Sequence, residues 1–533
     1  MAFLLPGQKC KKYFAGLRRN SAALLCVCVS ASLLAGCGST QASPKALSGD
    51  GEVNTVYSDE ALALDYDVPV MTPSIKVNQT GYLPESDKRA LLTGAHLPDT
   101  FFVIDMESGE TVYEGAVTEQ SEETAVADFS EVTREGMYYL QADVVGVSYA
   151  FPIGEDVYAE VLKRTQKQFY LNRCGMSLTE QYAADGAHSV CHTTAGVLTD
   201  ENGKTMDVTG GWHLDGRLNR NVTEGCRALE QLLLALEMNA EAFDDATGIP
   251  ESDNDIPDIL DEAAYEARWL LKMQDEASGG VHEAALTDGG DESNPMLSGV
   301  EVMPVTMEAT GSFAAALAHF AYVYRSYDAS LATQCVQASD KAFRLYRTAM
   351  ETAQDTKGFH AACELYRATG DGRYAEAIDT YLKDLTFDAK VTEEEDLFLA
   401  AVAYLSTSGE VDKDACARMM GALMEQARAI ASGAGASPYR VAKDEGTQDD
   451  AAGVLLRMRT LVVANHILYN HEYQTIILDH AHYLMGRNER AVNLVTEESE
   501  YSYETAHLTG IRTQPLQAAQ LVFLLSAIQG EVS

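Results

Sequence analysis

A chain of 533 residues is too long for one ordinary domain, and its 46% hydrophobic content is ample for packed cores. A formal charge of -41 argues against a nucleic-acid partner, because a phosphate backbone would be repelled and no Lys/Arg-rich stripe follows residue 40. The acidity names no substrate by itself and fits an extracellular surface.

In chain order, Lys9, Lys11, Lys12, Arg18 and Arg19 form a basic start, followed by an apolar run from Ser21 to Leu34. That run is shorter than the roughly 20 residues of a membrane-spanning helix. It ends in Leu34-Ala35-Gly36-Cys37, so residues 1–36 are expected to be an export signal. A cysteine at the new N-terminus resembles the bacterial lipobox. It implies a diacylglycerol thioether on Cys37 that tethers the chain to the outer face of a bacterial membrane; a plain cleavable signal is the alternative. Residues 37–72 are polar, lack a sustained period and read as a tether.

From residue 73 to 155 short apolar runs alternate with Gly, Pro and Asp, among them Phe101-Phe102-Val103-Ile104 and Gly136-Met137-Tyr138-Tyr139-Leu140. This spacing predicts a small β-sandwich, with a hairpin turn at Ser108-Gly109. From 156 to 530 the period becomes helical. Glu224–Glu237, Asp258–Gln274, Gly311–Tyr327, Leu331–Thr352 and Gln514–Ile528 carry apolar residues three and four apart. Two segments, 361–370 and 399–409, resemble one another, and each reads as a helix stopped by a glycine, Gly370 and Gly409. Repeated helix pairs point to a toroid or solenoid of hairpins.

Several strings, in order, resemble family-9 glycoside hydrolases that carry an N-terminal immunoglobulin-like domain. They are Ile75-Lys76-Val77-Asn78-Gln79-Thr80-Gly81-Tyr82, Arg173-Cys174-Gly175, Ala187-His188 with Cys191-His192, and Asp207-Val208-Thr209-Gly210-Gly211-Trp212-His213. Ile249-Pro250-Glu251-Ser252, Ile256-Pro257-Asp258-Ile259-Leu260-Asp261-Glu262 and Leu484-Met485-Gly486-Arg487-Asn488 follow. The resemblance implies an all-α (α/α)6 barrel behind an immunoglobulin-like sandwich, and inverting hydrolysis of β-1,4-glucans, with an oligo- or polysaccharide as partner. It implies sugar contacts at His188 and Arg487; Trp212 and Arg217 are further expected contacts.

Inverting hydrolysis needs a general base and a general acid roughly 6.5–9.5 Å apart. The family string that holds its base aspartates reads here Gly210-Gly211-Trp212-His213-Leu214-Asp215-Gly216-Arg217. Leu214 and Arg217, at the aspartate positions, cannot take a proton from water. Asp215 sits one residue along, either as a relocated base or as a loop aspartate. The acid position before the last helix falls in Gly510-Ile511-Arg512, and Glu504 is the nearest carboxylate that could replace it. The family's substrate loop there is also shortened, leaving His507 and Arg512. Its calcium-type Asp-Glu pair falls at Thr356 and Lys357, and lysine does not ligate a hard cation, so calcium is not expected there. Only two tryptophans, Trp212 and Trp269, are present to stack on sugars, beside 26 tyrosines. Two functions follow as expectations: a hydrolase working through relocated carboxylates, or a non-catalytic glycan-binding or structural protein on the same scaffold.

Ten cysteines include six in the body, too few for a disulfide scaffold. Cys226 and Cys363 lie in helical apolar patterns and read as buried thiols. Cys174, Cys191, His192 and His213 suit a tetrahedral structural zinc, and the resemblance implies zinc at matching positions; a Cys174–Cys191 disulfide is the alternative. Asp253, Asp255, Asp258, Asp261 and Glu262 crowd a helix start, either as a calcium site or as carboxylates favoured by the helix dipole. His282 and His360 read as ordinary helix or loop residues. No oligomeric state can be read from these patterns.

Overall fold

The computed structural model describes residues 72–119, 121–288, 295–350, 354–388, 390–443, 451–495 and 514–529. The predicted leader, Cys37, all but the last residue of the tether, and Glu504 fall outside them.

The first layer is antiparallel throughout. Its strands are β1 (Ile75–Lys76), β2 (Arg89–Thr93), β3 (Thr100–Asp105), β4 (Thr111–Glu119), β5 (Thr124–Asp128), β6 (Gly136–Ala142), β7 (Gly146–Val147) and β8 (Phe151–Ile153). They run in the order β1-β2-β5-β4-β3-β6-β7, with β8 also on β6. Alternation decides the inside: Tyr138, Leu140 and Ala142 of β6 are buried beside exposed Met137 and Gln141. Tyr82 sits edge-on to Phe129 and Phe151, both at 5.2 Å, and closes this core. The β3–β4 turn is held by Asp105 Oδ1, which accepts the amides of Glu107 and Ser108 at 2.9 Å, and Gly109 supplies the left-handed residue at φ 72°.

The helices are α1 (Val157–Leu171), α2 (Glu180–Ala183), α3 (Val222–Met238), α4 (Asp258–Lys272), α5 (Met307–Tyr324), α6 (Ala329–Ala349), α7 (Thr356–Thr369), α8 (Gly372–Tyr381), α9 (Lys390–Glu393), α10 (Glu395–Ser406), α11 (Lys413–Ala436), α12 (Ala451–Ile467), α13 (His471–Leu484) and α14 (Pro515–Gln529). Apart from the one-turn α2 and α9, they alternate between an outer and an inner ring. The outer α6 buries one stripe, Leu331, Ala332, Cys335, Ser339, Ala342, Phe343 and Tyr346, at three- and four-residue spacing. The inner α14 is buried all round from Ala518 to Ile528. Packing runs α14–α3–α5–α7–α10, and α12 packs on α14. Arg459 of α12 completes the ring by pairing with Glu395 at 2.9 Å and lying over the Phe398 ring.

Side-chain caps start most long helices: Asn221 on α3, Thr306 on α5, Asp328 on α6, Asp355 on α7 and Asp412 on α11. Gly370 ends α7 in the left-handed conformation, as its pattern predicts. The matching prediction for Gly409 is corrected. Extended Thr407 ends α10, and Gly409 is required for space, since a Cβ there would meet the Tyr366 hydroxyl at 2.5 Å.

The description all-α is only approximate for the barrel. Between α2 and α5 run short strands: β9 (Gly196–Leu198), β10 (Thr205–Met206), β11 (Arg220–Asn221), β12 (Val281–His282), β13 (Ala284–Thr287), β14 (Val300–Val302) and β15 (Val305–Thr306). They form a sheet β10-β9-β14-β13-β11 and a pair β12-β15. Because β11 of the sheet runs into α3 and β15 of the pair into α5, these strands build the barrel rim at the N-termini of those inner helices.

The sandwich docks on the barrel through the strings around residues 78 and 486. Gln79 donates its amide to Met485 O at 2.8 Å and its side chain to Ala491 O at 2.6 Å, and Tyr82 meets the His482 ring at 4.9 Å. Arg487 belongs to this joint. It is 3% exposed, bonds Asp479 at 2.7 Å and Tyr439 O at 3.1 Å, and reaches Arg89 O of β2. The expected sugar contact at Arg487 is therefore corrected: its guanidinium is consumed in joining the two layers.

Candidate functional site

Two extended segments set the first cluster. Arg173 and Trp212 form an antiparallel bridge, Cys174 donates its amide to Gly211 O, and His213 donates to Asn172 O, both at 2.8 Å. This brings Cys174 at the end of α1 beside His213. Cys191 and His192 enter from a third segment, where His192 is left-handed at φ 45° and its amide is tied to Met296 O. A positive φ is uncommon for a residue other than glycine and holds only where neighbours enforce it.

All four side chains are buried, and their ligand atoms lie within 4.8 Å of one another. Cys191 Sγ is 3.9 Å from Cys174 Sγ and 3.7 Å from His213 Nε2, and Cys174 Sγ is 3.5 Å from His192 Nδ1. Both thiols are free, so the alternative Cys174–Cys191 disulfide is not formed. The Cys174 contact, with help from His192 and His213, holds the Cys191 thiol well below its ordinary range despite burial, the same contact with burial pushes the Cys174 thiol up, and burial lowers the His213 pKa. A thiolate and a neutral imidazole are the forms that bind a metal. His192 Nε2 lies 3.2 Å from Thr287 Oγ1, an outer contact that orients the ring. These four residues are a candidate metal centre.

Immediately after His213 comes the string expected to carry the base. Leu214 is half-buried against the core. Asp215 is exposed, yet both its oxygens are engaged: Oδ1 accepts the amides of Arg217 and Asn219 at 2.9 and 3.0 Å, and Oδ2 accepts the Asn219 side chain at 2.8 Å. Such a carboxylate closes a turn. Arg217, exposed at the tip, completes the string.

Trp212 is corrected as a sugar contact. It is fully buried, packs its ring on Phe169 at 4.8 Å and donates Nε1 to Glu262 at 3.3 Å. Its amide donates to Glu266 at 2.9 Å; burial pushes that carboxyl up to about 8, so at neutral pH it is largely protonated. Gly211 is required beside it, because at φ 76° a Cβ would meet the Trp269 ring at 2.5 Å. The second tryptophan, Trp269, is likewise buried, 1% exposed, so neither offers a stacking face. Arg173 pins the same region to Glu251 and Glu262 at 2.9 and 3.0 Å. His188 is half-buried, with Nδ1 at 2.7 Å from Ser189 O and Nε2 without a partner among the described residues.

Across the rim, Lys357 takes an oxygen-lined position: Nζ lies 2.9 Å from Ser312 Oγ and Asp396, and 3.1 Å from Glu308. Thr356 bonds Glu394 at 2.5 Å. Beneath them lies what the sequence reading missed. His360, fully buried, meets Glu230 of α3 at 3.2 Å and Asp396 of α10 at 3.3 Å. The chain of charges continues through Glu364, His319, Glu237 and Arg367. Burial alone would lower the His360 pKa, but Glu230 and Asp396 outweigh it and push it up to about 10. A folded value above the unfolded one, about 6.5, stabilises fully below pH 6.5, and that contribution is lost as pH rises through 10. Going from pH 6 to pH 10 should therefore lower the urea midpoint more in the parent than in His360→Gln; equal losses in the two proteins would contradict this assignment.

Of the carboxylates at the α4 start, Asp258 and Asp261 converge with Asp245, their ligand atoms within 4.8 Å of one another. Asp253 and Asp255 instead donate their amides to Asp245, and Glu262 faces Arg173. Burial pushes Asp261 up to about 7. His282 is an ordinary structural residue, bonded to Met303 O at 2.8 Å.

Comparison with known proteins agrees with this architecture. The profile of glycosyl hydrolase family 9 matches residues 158–520, and that of the cellulase N-terminal ig-like domain matches 71–147. Endoglucanase D of Acetivibrio thermocellus is 28% identical over 476 residues, covering 83% of this chain and 73% of its own. Cellodextrinase of Butyrivibrio fibrisolvens is 28% identical over 476 residues, covering 81% and 86%. A metagenome-derived family 9 endoglucanase superposes with a TM-score of 0.76 at 23% identity, covering 86% of this chain and 98% of its own, which bears on fold alone. A zinc-binding triple mutant of another family 9 endoglucanase gives 0.70 at 25% identity, covering 83% and 99%. With its barrel matched nearly end to end and an immunoglobulin-like module ahead of it, the chain belongs to glycosyl hydrolase family 9.

Proposed function

We propose that this chain binds β-1,4-linked glucose chains at the rim over the N-termini of its inner helices and does not hydrolyse them by the family's inverting reaction. The observation that carries this reading is the state of the base string. Leu214 has no proton acceptor, Arg217 is a cation, and Asp215 has both carboxylate oxygens committed to the turn. A general base must reach a water on the sugar's far face, and Asp215, one residue off the aspartate positions, is oriented by three hydrogen bonds within its own turn. Glycan recognition itself is supported by family membership and by relatives named endoglucanase and cellodextrinase. His188 and Arg217 are the side chains proposed to touch sugar.

The candidate metal centre is proposed to hold zinc as a structural clamp. Zn–S and Zn–N bonds of about 2.3 and 2.0–2.1 Å in a tetrahedron place sulfurs about 3.8 Å apart and sulfur about 3.5 Å from nitrogen, close to the 3.9, 3.7 and 3.5 Å separations here. When bound, zinc would fix Cys174, Cys191, His192 and His213 together and so hold the turn that follows His213. The protein is further proposed to be exported and anchored through Cys37, on the strength of the basic start, the apolar run and the Leu34-Ala35-Gly36-Cys37 string.

Titration calorimetry of the full mature chain with cellohexaose, beside reducing-sugar release from carboxymethylcellulose, tests the reading. Saturable binding without sugar release is expected. Robust release, lost in Asp215→Asn, would overturn it.

A further inference from the structure

We infer that the Lys357 ammonium is a built-in cation: it fills an oxygen cage at the barrel rim that would otherwise take a dissolved divalent ion, so this rim keeps its shape without calcium. The calcium implied for the family at these positions does not fit the residues present, because Lys357 Nζ already holds the oxygens such an ion would take.

The cage is drawn from three helices. Glu308 and Ser312 stand one turn apart on α5, Asp396 lies in the first turn of α10, and Lys357 in the first turn of α7. Nζ is 2.9 Å from Ser312 Oγ, 2.9 Å from Asp396 Oδ2 and 3.1 Å from Glu308 Oε1. An ammonium has three N–H donors and no acceptor, so these three oxygens saturate it. The other Asp396 oxygen, Oδ1, faces His360 Nδ1 at 3.3 Å, which leaves Oδ2 to the lysine.

This is more than a surface ion pair. The Lys357 side chain is 9% exposed, so its charge must be answered inside the protein. Burial alone would lower its pKa, but Asp396 and Glu308 outweigh it and push it up, so the ammonium stays charged. Its position also runs against the helix dipole. A cation in the first turn faces the positive end of the 14-residue α7, whereas Glu308 and Asp396 stand where the dipoles of α5 and α10 favour anions. The stem has a channel of its own: at Gly311 a Cβ would meet Lys357 Cδ at 2.6 Å and Tyr346 Cε2 at 2.7 Å. A glycine inside a helix costs stability, and here it leaves the room in which the lysine passes. Glu308, 58% exposed, keeps one side of the cage open to solvent, the entry path a free ion needs once the lysine is gone.

Emptying the cage tests the assignment. Lys357→Ala leaves Ser312 Oγ and two carboxylates, oxygen ligands of the kind calcium takes, with water to complete the shell. Lys357→Met removes the charge but keeps an apolar chain in the channel. Equilibrium dialysis of the full mature chains against calcium should show about one more ion per molecule in Lys357→Ala than in the parent, and no gain in Lys357→Met. Both variants should unfold at a lower temperature than the parent in calcium-free buffer, and millimolar calcium should restore Lys357→Ala alone. Each readout is a difference from the parent, which cancels any calcium held elsewhere, as among Asp245, Asp258 and Asp261. No chelator is used, so the proposed zinc is undisturbed. Should Lys357→Ala fail to fold, Lys357→Glu, which adds a carboxylate ligand, takes its place and should fold with calcium and not without it. A cage variant that folds but gains no calcium, or that sodium chloride of equal ionic strength restores as well, would overturn the inference. So would a parent midpoint that rises in calcium as far as that of Lys357→Ala, or a Lys357→Glu chain that calcium does not help.

Discussion

Replacing Arg367 with alanine should destabilise the barrel by about 3–5 kcal/mol, the range for leaving a buried charge without its partner. The Arg367 side chain is 3% exposed and bonds Glu237 at 3.0 Å and Glu364 at 2.9 Å. Burial alone would raise the Glu237 pKa, yet Arg367 and His319 hold it down to about 2. Without the guanidinium, the two buried carboxylates would be left with histidines alone: His319 at 2.8 Å from Glu237 and 3.7 Å from Glu364, and His360 at 4.0 Å from Glu364. Urea unfolding followed by circular dichroism reads the effect. The double variant Arg367→Met, Glu364→Gln should recover part of it, because it removes one of the stranded charges. A loss below 1 kcal/mol for Arg367→Ala would mean that the ladder through the inner helices is far less coupled than its distances imply.

The second large effect concerns the proposed zinc. Free metal at a hundred to a thousand times Kd stabilises a folded protein by about 2.7–4.1 kcal/mol, so a strong chelator should lower the unfolding midpoint by that order. Cys191→Ser removes a ligand 3.9 and 3.7 Å from two others. It should unfold at about the chelated parent's midpoint and no longer respond to chelator. Metal analysis of the purified chain should return close to one zinc per molecule in the parent and far less in the variant. A parent that is metal-free and indifferent to chelator would contradict the assignment.

Legibility from sequence followed sequence distance. The strings Ile75–Tyr82 and Leu484–Asn488 were readable as family marks, but not the contact between them, since Gln79 and Met485 meet only in three dimensions. The same string therefore misled at Arg487, whose partners Tyr439 and Arg89 no local pattern reveals. Long helices announced themselves through apolar residues three and four apart, α14 among them. Strands β9–β15, two to four residues each, are too short to carry a period. His360 passed as ordinary because its partner Glu230 lies 130 positions earlier, on another inner helix. Trp212 was expected at a sugar because rings often line glycan clefts; its burial against Phe169 depends on how α1 packs. The convergence of Cys174, Cys191, His192 and His213, by contrast, was legible, since two thiols and two imidazoles fall in strings that carry the family resemblance.

The central claim is that this family 9 scaffold binds glucan without cutting it, and product analysis of cellohexaose incubated with stoichiometric protein tests it most directly. Chromatography after a day at neutral pH should show the hexamer intact with Leu214, Asp215 and Arg217 in place. The appearance of cellobiose or cellotriose, lost in Asp215→Asn, would show that Asp215 acts as the base, and would contradict the account.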